Sequence, residues 1–191
     1  MRILHIEDDD IIVNIFTTVF EHLGHSVKHV SSVEAAEEEL SKTTYDKVIC
    51  DGNLNSIDRG DGFRLANRLY LEGKEVVIFS SQTKPLPPRV PFVKKTGKVS
   101  PTVLAQKLLL SHTHLPDHTR VVTTQANESM QREWEKSAWE SRRWGVEGTI
   151  IAHHDSHGLH YDIRHENGHV APYDPSEVEV MIPSSRIHSN T

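Results

Sequence analysis

Two apolar runs in this chain stop on carboxylates. ILHIED, Ile3 to Asp8, and KVICD, Lys47 to Asp51, share that pattern. A strand buried on both faces reads as a short apolar run, so Glu7, Asp8 and Asp51 fall where strands leave a core. In open α/β sheets ligands bind at that edge. If the two strands are neighbours, their carboxylates converge, and like charges about 4 Å apart repel by several kcal/mol at an effective dielectric near 20. A hard cation with oxygen ligands relieves that repulsion, and Mg²⁺ is the expected ion. A third run, VVIFS, ends on the hydroxyl of Ser80, and FVKK brings Lys94 and Lys95. Their ammonium groups can complete a site for a phosphoryl group.

The elements that would position these residues alternate along the first half. RILHI reads as a strand; in IIVNIFTTVFEHL, Ile12, Ile15, Phe16, Val19, Phe20 and Leu23 share one helical face, and Gly24 closes it. SVKHV is a second strand, and SSVEAAEEEL a helix with Ser31 or Ser32 at its N-cap. DKVIC, the helix DGFRLANRLYLEG, EVVIFS and VPFVK continue the alternation, and SPTVLAQKLLL ends it with Ser100 at N-cap and Pro101 at N1. Repeated βα units predict a doubly wound, five-stranded parallel sheet covered on both faces.

Four marks then stand in order at strand ends: ILHIED, VICD, VVIFS and FVKK. In these, Met1 to about Ser111 resembles the receiver domain of two-component response regulators, which have a flavodoxin-like fold. The resemblance implies that Asp51 accepts the phosphoryl group. It also implies that Asp8 and Asp51 ligate Mg²⁺ directly, Glu7 through metal-bound water, and Asn53 through its backbone carbonyl. Ser80 would hydrogen-bond the phosphoryl oxygen, Lys95 would neutralise it, and Phe92 would be the switch aromatic. Lys98 competes with Lys95 for that alignment, and Asp9 and Asp10 read as a helix start. The implied partner is a sensor histidine kinase or a phosphotransfer protein. No enzyme activity is implied beyond self-phosphorylation and self-dephosphorylation. A degenerate receiver acting as a docking scaffold is the alternative.

The departures from the family are specific. The loop GNLNSIDRGDGF has Asn55 where proline is customary and adds Asp58 and Asp61. Thr96 replaces the proline after the lysine, so the cis peptide usual there is not expected. SQTKPLPPRVPF is short and rich in proline, so the family's fourth helix should be absent or reduced to a turn. Output should then leave by another route than the face this helix shares with strand five and the last helix.

The remaining sequence differs in character. Of 14 histidines, 10 follow Ser111, and the chain divides on this basis into a receiver at 1–111, a linker and tryptophan-bearing helix at 112–145, and a small β-barrel at 146–191. HTHLPDHT reads as linker. TTQANESMQREWEKSAWESRRW reads as a polar helix carrying Met130, Trp134, Trp139 and Trp144, the tryptophans serving as packing anchors. GTIIAHH, GLHYDIRHENGHVAPYDP and EVEVMI read as short strands, with Tyr161 and Ile163 facing a core and His160, Asp162 and Arg164 facing water. Their spacing resembles small SH3-like or Tudor-like barrels, which implies an unidentified protein ligand. HHDSHGLHYDIRHENG also resembles the HD-x-x-x-LHYD-x-R segment of the 3′-phosphoesterase module of bacterial DNA-repair ligases. That implies a metal-dependent phosphoesterase with His154, His160, Asp162 and Arg164 holding metal and phosphate. The match spans 16 residues and the tail is too short for that fold, so a solvated histidine-rich strand without hydrolytic activity is the expected outcome.

Charge narrows the classes further. Through Ser111 there are 14 basic and 15 acidic side chains, and after it 7 and 12, so neither half carries a basic nucleic-acid footprint and DNA is not an expected partner. A lone cysteine, Cys50, excludes a disulfide framework. No apolar stretch reaches the roughly 18 residues of a membrane span, and MRILHIEDDD is acidic where a signal peptide is basic. A cytoplasmic protein is expected, with a homodimer among the assemblies open to it.

Overall fold

The computed structural model describes residues 1–54, 60–81, 87, 89–126, 136–155 and 158–182. The first half builds β1 (Arg2–Ile6), α1 (Asp10–His22), β2 (Ser26–Val30), α2 (Val33–Lys42), β3 (Lys47–Cys50), α3 (Asp61–Leu71), β4 (Val76–Ser80), β5 (Phe92–Lys94) and α4 (Pro101–Leu110). All five strands run parallel in the order β2-β1-β3-β4-β5. The chain therefore reverses its winding at β1 and β3, and a crevice opens outside their carboxyl ends.

The caps are those the sequence predicts. Asp9 accepts from the amides of Ile11 and Ile12 at the start of α1, Ser32 from Ala35 at α2, and Ser100 from Val103 at α4, where Pro101 follows. Alternate strand residues feed two cores. Leu4, Ile6, Val48, Cys50 and Ile78 pack with α3 on one face, and Ile3, Ile49, Val77 and Phe79 pack with α1 and α4 on the other. Lys47 is an unexpected member of the interior. Its ammonium donates to the carbonyls of Leu108 and Ser111 at the end of α4, and burial pulls its pKa down to about 8.

His5 is also buried, among Phe16, Phe20 and His29, and neither ring nitrogen has a hydrogen-bond partner among the described residues. Burial, then the nearby His29 and Lys95, push its pKa down to about 3. The unfolded chain binds that proton near pH 6.5 and the folded chain does not, so this contribution to stability is complete above pH 6.5 and is lost as pH falls toward 3. Between pH 7 and 4.5, urea denaturation should show wild type losing about 2–3 kcal/mol more than His5→Leu, at roughly 1.4 kcal/mol per pH unit. Parallel pH profiles for the two proteins would place the responsible proton elsewhere.

Between β4 and β5 no described residue is helical; Gln82 to Leu86 and Pro88 lie outside the described residues. Val90 donates to the carbonyl of Pro87, and Ile78 to that of Pro91, so the connection enters β5 as a turn. Proline rings that cannot donate account for this.

A second, antiparallel sheet follows. It contains β6 (Arg120–Thr123), β7 (Glu147–His154), β8 (His160–His165), β9 (Val170–Tyr173) and β10 (Val178–Val180) in the order β10-β6-β7-β8-β9, with a 3₁₀ turn at Pro175–Glu177 ahead of β10. The arrangement is consistent with a small barrel-like domain. Two features differ from the expected linker at 112–145. Arg120–Thr123 is a strand paired with both β7 and β10, and Leu115 is buried in the second core, its amide donating to the Tyr161 hydroxyl. Helix α5 (Lys136–Ser141) is the described part of the predicted helix, and Met130 and Trp134 lie outside the described residues. Trp139 and Trp144 lie 6.4 Å apart, with Trp144 edge-on to Tyr173 at 5.6 Å, so these two anchor within the second unit.

The two sheets meet. β10 and the 3₁₀ turn rest on β5 and α4, Leu110 enters the second core, and Lys107 pairs with Glu179. Two elements of the face expected to be bypassed, strand five and the last helix, are thus the ones the second sheet covers. Among the described residues no helix is long and apolar enough to cross a membrane.

Candidate functional site

Three strand ends build the acidic crevice. Glu7 and Asp8 follow β1, and Asp51 follows β3, whose end is fixed by its amide donating to the Ile6 carbonyl. One carboxylate oxygen from each of the three lies within 4.8 Å of the others. Beyond β5, the amide of Lys95 donates to the Ser80 carbonyl, which sends the side chain back across the crevice. Its ammonium lies 2.5 Å from Glu7 Oε2 and 3.0 Å from Asp51 Oδ2. Lys94 is exposed, as are Lys98 and its turn, so geometry selects Lys95.

Burial sets the electrostatics. Glu7 is 1% exposed, and desolvation raises its pKa, with Lys95 opposing and Asp51 adding repulsion. Asp8 is raised as well, first by desolvation and then by Asp51. Three carboxylates share one lysine, a balance that leaves negative charge in excess. Hard oxygen donors at this spacing fit a divalent Mg²⁺ ion. Asp51 keeps one oxygen, Oδ1, on the amide of Gly52, while Oδ2 faces the lysine.

The backbone around Asp51 is held from the other side by α3. Gly62 approaches so closely that a Cβ there would overlap the Asp51 carbonyl oxygen, and a Cβ on Gly52 would strike the ring of Phe63. Asp61 accepts from the amides of Leu54 and Gly62, and Asn53 Oδ1 from that of Gly60, so both side chains brace the loop. Asn55 and Asp58 lie outside the described residues. Cys50 is wholly buried, and burial raises its thiol pKa above the ordinary range, leaving it inert.

The other expected residues are near but differently placed. Phe92 is buried with Val90 and Ile78 on the α3 face of the sheet, pointing inward. Ser80 is 1% exposed, while Ser81, not Ser80, lines the open cleft with Glu7, Asp51 and Lys95. Sequence reasoning missed Ser81, and the doubled serine of FSSQ was the available signal. The same cleft runs on over Ile12, Ile15 and Phe16 of α1 and Leu104 of α4, an apolar floor beside the acids.

In the second sheet, His154, His160 and Asp162 converge, while Arg164 stands further along β8 opposite Thr149. Tyr161 and Ile163 are buried and their neighbours on β8 face outward, as strand alternation requires.

Residues 3–92 match the family model of the response regulator receiver domain. Lys95 lies beyond that span and is placed by geometry. No curated protein matches the chain. Among solved structures, the N-terminal domain of a response regulator/sensory box/GGDEF 3-domain protein from Carboxydothermus hydrogenoformans aligns at 23% identity and TM-score 0.47, covering 56% of this chain and 89% of that one. A CheY-like response regulator receiver domain protein from Methanospirillum hungatei JF-1 aligns at 18% and 0.47, covering 56% and 90%. Scores at this level add no argument, and what the chain shares with the response regulator receiver domain is the family-model match over residues 3–92.

Proposed function

We propose that the protein is a two-component response regulator phosphorylated on Asp51 in a Mg²⁺-dependent reaction, with output through its C-terminal sheet. The observation that carries this reading is Lys95, whose ammonium bridges Glu7 and Asp51 where three strand-end carboxylates converge.

The residues divide the chemistry. An Asp51 carboxylate oxygen attacks the phosphorus of the donor; a new P–O bond forms, the bond to the leaving group breaks, and the leaving group departs with that electron pair. Lys95 faces the attacked group and balances charge on its oxygens. Asp8, Asp51 and the Asn53 carbonyl, with Glu7 behind them, would hold Mg²⁺, which would supply further charge neutralisation. Ser80, or Ser81 at the cleft surface, offers a hydroxyl to the transferred group. The donor is a sensor histidine kinase or a phosphotransfer protein.

Output has a direct path in this arrangement. Phe92 opens β5 and Lys95 follows it, and β10 and the 3₁₀ turn rest on that strand, so a shift at the crevice reaches the second sheet across one strand. The strand order of that sheet, with its 3₁₀ turn ahead of the closing strand, supports an SH3-like module that binds a protein ligand.

Incubation with Mg²⁺ and a small phosphodonor should add one phosphoryl mass that is stable in mild acid and lost in base. Asp8→Ala should weaken Mg²⁺ binding at least tenfold by titration and slow the adduct's appearance. A protein that takes no adduct under any Mg²⁺ concentration is a docking scaffold, and undiminished Mg²⁺ binding by Asp8→Ala puts the ion elsewhere.

A further inference from the structure

The first sheet ends on a strand with little support of its own. β5 has three residues, pairs with β4 at the sheet edge, and is entered from the proline-rich connection, in which no described residue is helical. A parallel sheet needs cover on both faces. On one face α4 packs on β5, whereas on the other α3 packs on β3 and β4. Val90 and Phe92 lie on that second face and should be open to water, yet they are 0% and 2% exposed.

Part of the cover comes from the second sheet. The end of the β7–β8 hairpin meets this corner at Gly158. Nη2, Nε and Cζ of Arg89, the residue before Val90, lie 2.1, 2.3 and 2.4 Å from the point where a Gly158 Cβ would stand. The guanidinium thus fills the place of the absent side chain. Gly158 also has a φ of +105°, so space and backbone conformation independently select glycine. Beside this seat, at the end of α3, burial raises the Tyr70 hydroxyl pKa, with Arg89 opposing and Asp155 of the hairpin end adding to it.

β10 and the 3₁₀ turn rest on the same strand. The second sheet therefore touches β5 along its length and again at its entrance. Lys95 follows β5 directly, so what fixes the strand also fixes the ammonium that lies 3.0 Å from Asp51.

We propose that the β7–β8 hairpin end, seated through Gly158 on Arg89, serves the first sheet as cover over the entrance of β5, and that Arg89 and Gly158 are positioning residues for the reaction at Asp51. Influence then runs against the direction of output, because the second sheet shapes the phosphorylation site as well as responding to it. Lifting the hairpin end off Arg89 loosens β5 and withdraws Lys95. The positioning role rests on the phosphorylation reading above; the seat itself does not.

The test uses the full-length protein. Arg89→Ala should leave circular dichroism unchanged yet speed amide exchange from Val90 to Lys95 roughly fivefold, the low end of coupling between sites, while Val48 to Cys50 exchange as in wild type. Gly158→Ala should give the same pattern, and the double variant should fall short of the sum of the two, since removing the guanidinium makes room for the new methyl. With Mg²⁺ and a small phosphodonor, Arg89→Ala should lower the rate at saturating donor roughly fivefold without raising the donor concentration for half-maximal rate or weakening Mg²⁺ binding. Unchanged exchange through β5 in Arg89→Ala overturns the seat, and strict additivity overturns the direct contact behind it. Faster exchange with an undiminished adduct rate overturns the positioning role. A wild type that takes no adduct removes the phosphorylation reading and the positioning role with it, while the exchange comparison still decides the seat.

Discussion

Asp51→Asn should fold as well as wild type and take no phosphoryl adduct, read as intact mass after incubation with Mg²⁺ and a small phosphodonor. The amide that replaces the carboxylate is a poor nucleophile, so the loss is complete rather than partial. Stability should hold or rise. Asp51 adds repulsion to Glu7 and Asp8, both already raised by burial, and the variant retains the Lys95–Glu7 ion pair. Lys95→Ala gives the contrasting result: the nucleophile remains, but the cation facing it is gone, and adduct formation slows roughly 100-fold, the scale seen when one preorganised electrostatic group is removed. It also strips the buried Glu7 of its ion pair with Lys95. An adduct that persists in Asp51→Asn identifies another nucleophile and ends the assignment of Asp51.

How much of this was legible depends on whether the signal is local. The acid-ended strands, the N-caps at Ser32 and Ser100 and the helical stripe of α1 are written within a few residues each, and each formed as the pattern predicts except that Ile15 of the stripe stays exposed. The convergence of Glu7 with Asp51 followed from one inference about strand adjacency, and β1 does pair with β3. What failed to show is non-local. β6 offers only Val121 and Val122 as apolar residues inside polar surroundings, and its strand identity comes from pairing with β7 and β10, which lie far along the chain. The facing of His154 depends on a bulge set by register against β8, and alternation alone gives the opposite face. Nothing near Lys47 in the sequence marks its ammonium as buried; only the end of α4, folding back over it, supplies the carbonyls that make its burial tolerable. Ser81 was hidden behind Ser80 because a doubled hydroxyl gives composition no way to choose.

The largest stability effect is expected at Arg142. Its guanidinium is 1% exposed and meets Glu177 through both nitrogens, Nη1 at 3.1 Å and Nη2 at 2.9 Å, with Asp174 at 3.8 Å and the Pro172 carbonyl accepting from Nε. Trp139, Trp144 and Tyr173 surround it at 5.1, 5.8 and 5.5 Å. Glu177 is itself fully buried. Removing the arginine leaves a buried carboxylate without its charge partner, so Arg142→Met should cost about 3–5 kcal/mol in urea denaturation. Arg142→Lys should rescue little, because a single ammonium cannot reproduce the two-pronged contact or the stacking on the tryptophans. The double variant Arg142→Met/Glu177→Met should recover a large share of the loss, since it deletes both charges together and leaves apolar groups among aromatic rings. The consequence extends to signalling. Glu177 closes the 3₁₀ turn through the Asp174 amide and precedes β10, and that turn and strand are what rest on β5 beside Lys95. Arg142→Met should therefore weaken any effect of Asp51 phosphorylation on amide exchange in Val178 to Val180 while leaving adduct formation itself unchanged. A loss below about 1 kcal/mol, the range of exposed ion pairs, would mean that the aromatic packing and not the ion pair holds α5 to the sheet, and the double variant would then be the less stable of the two.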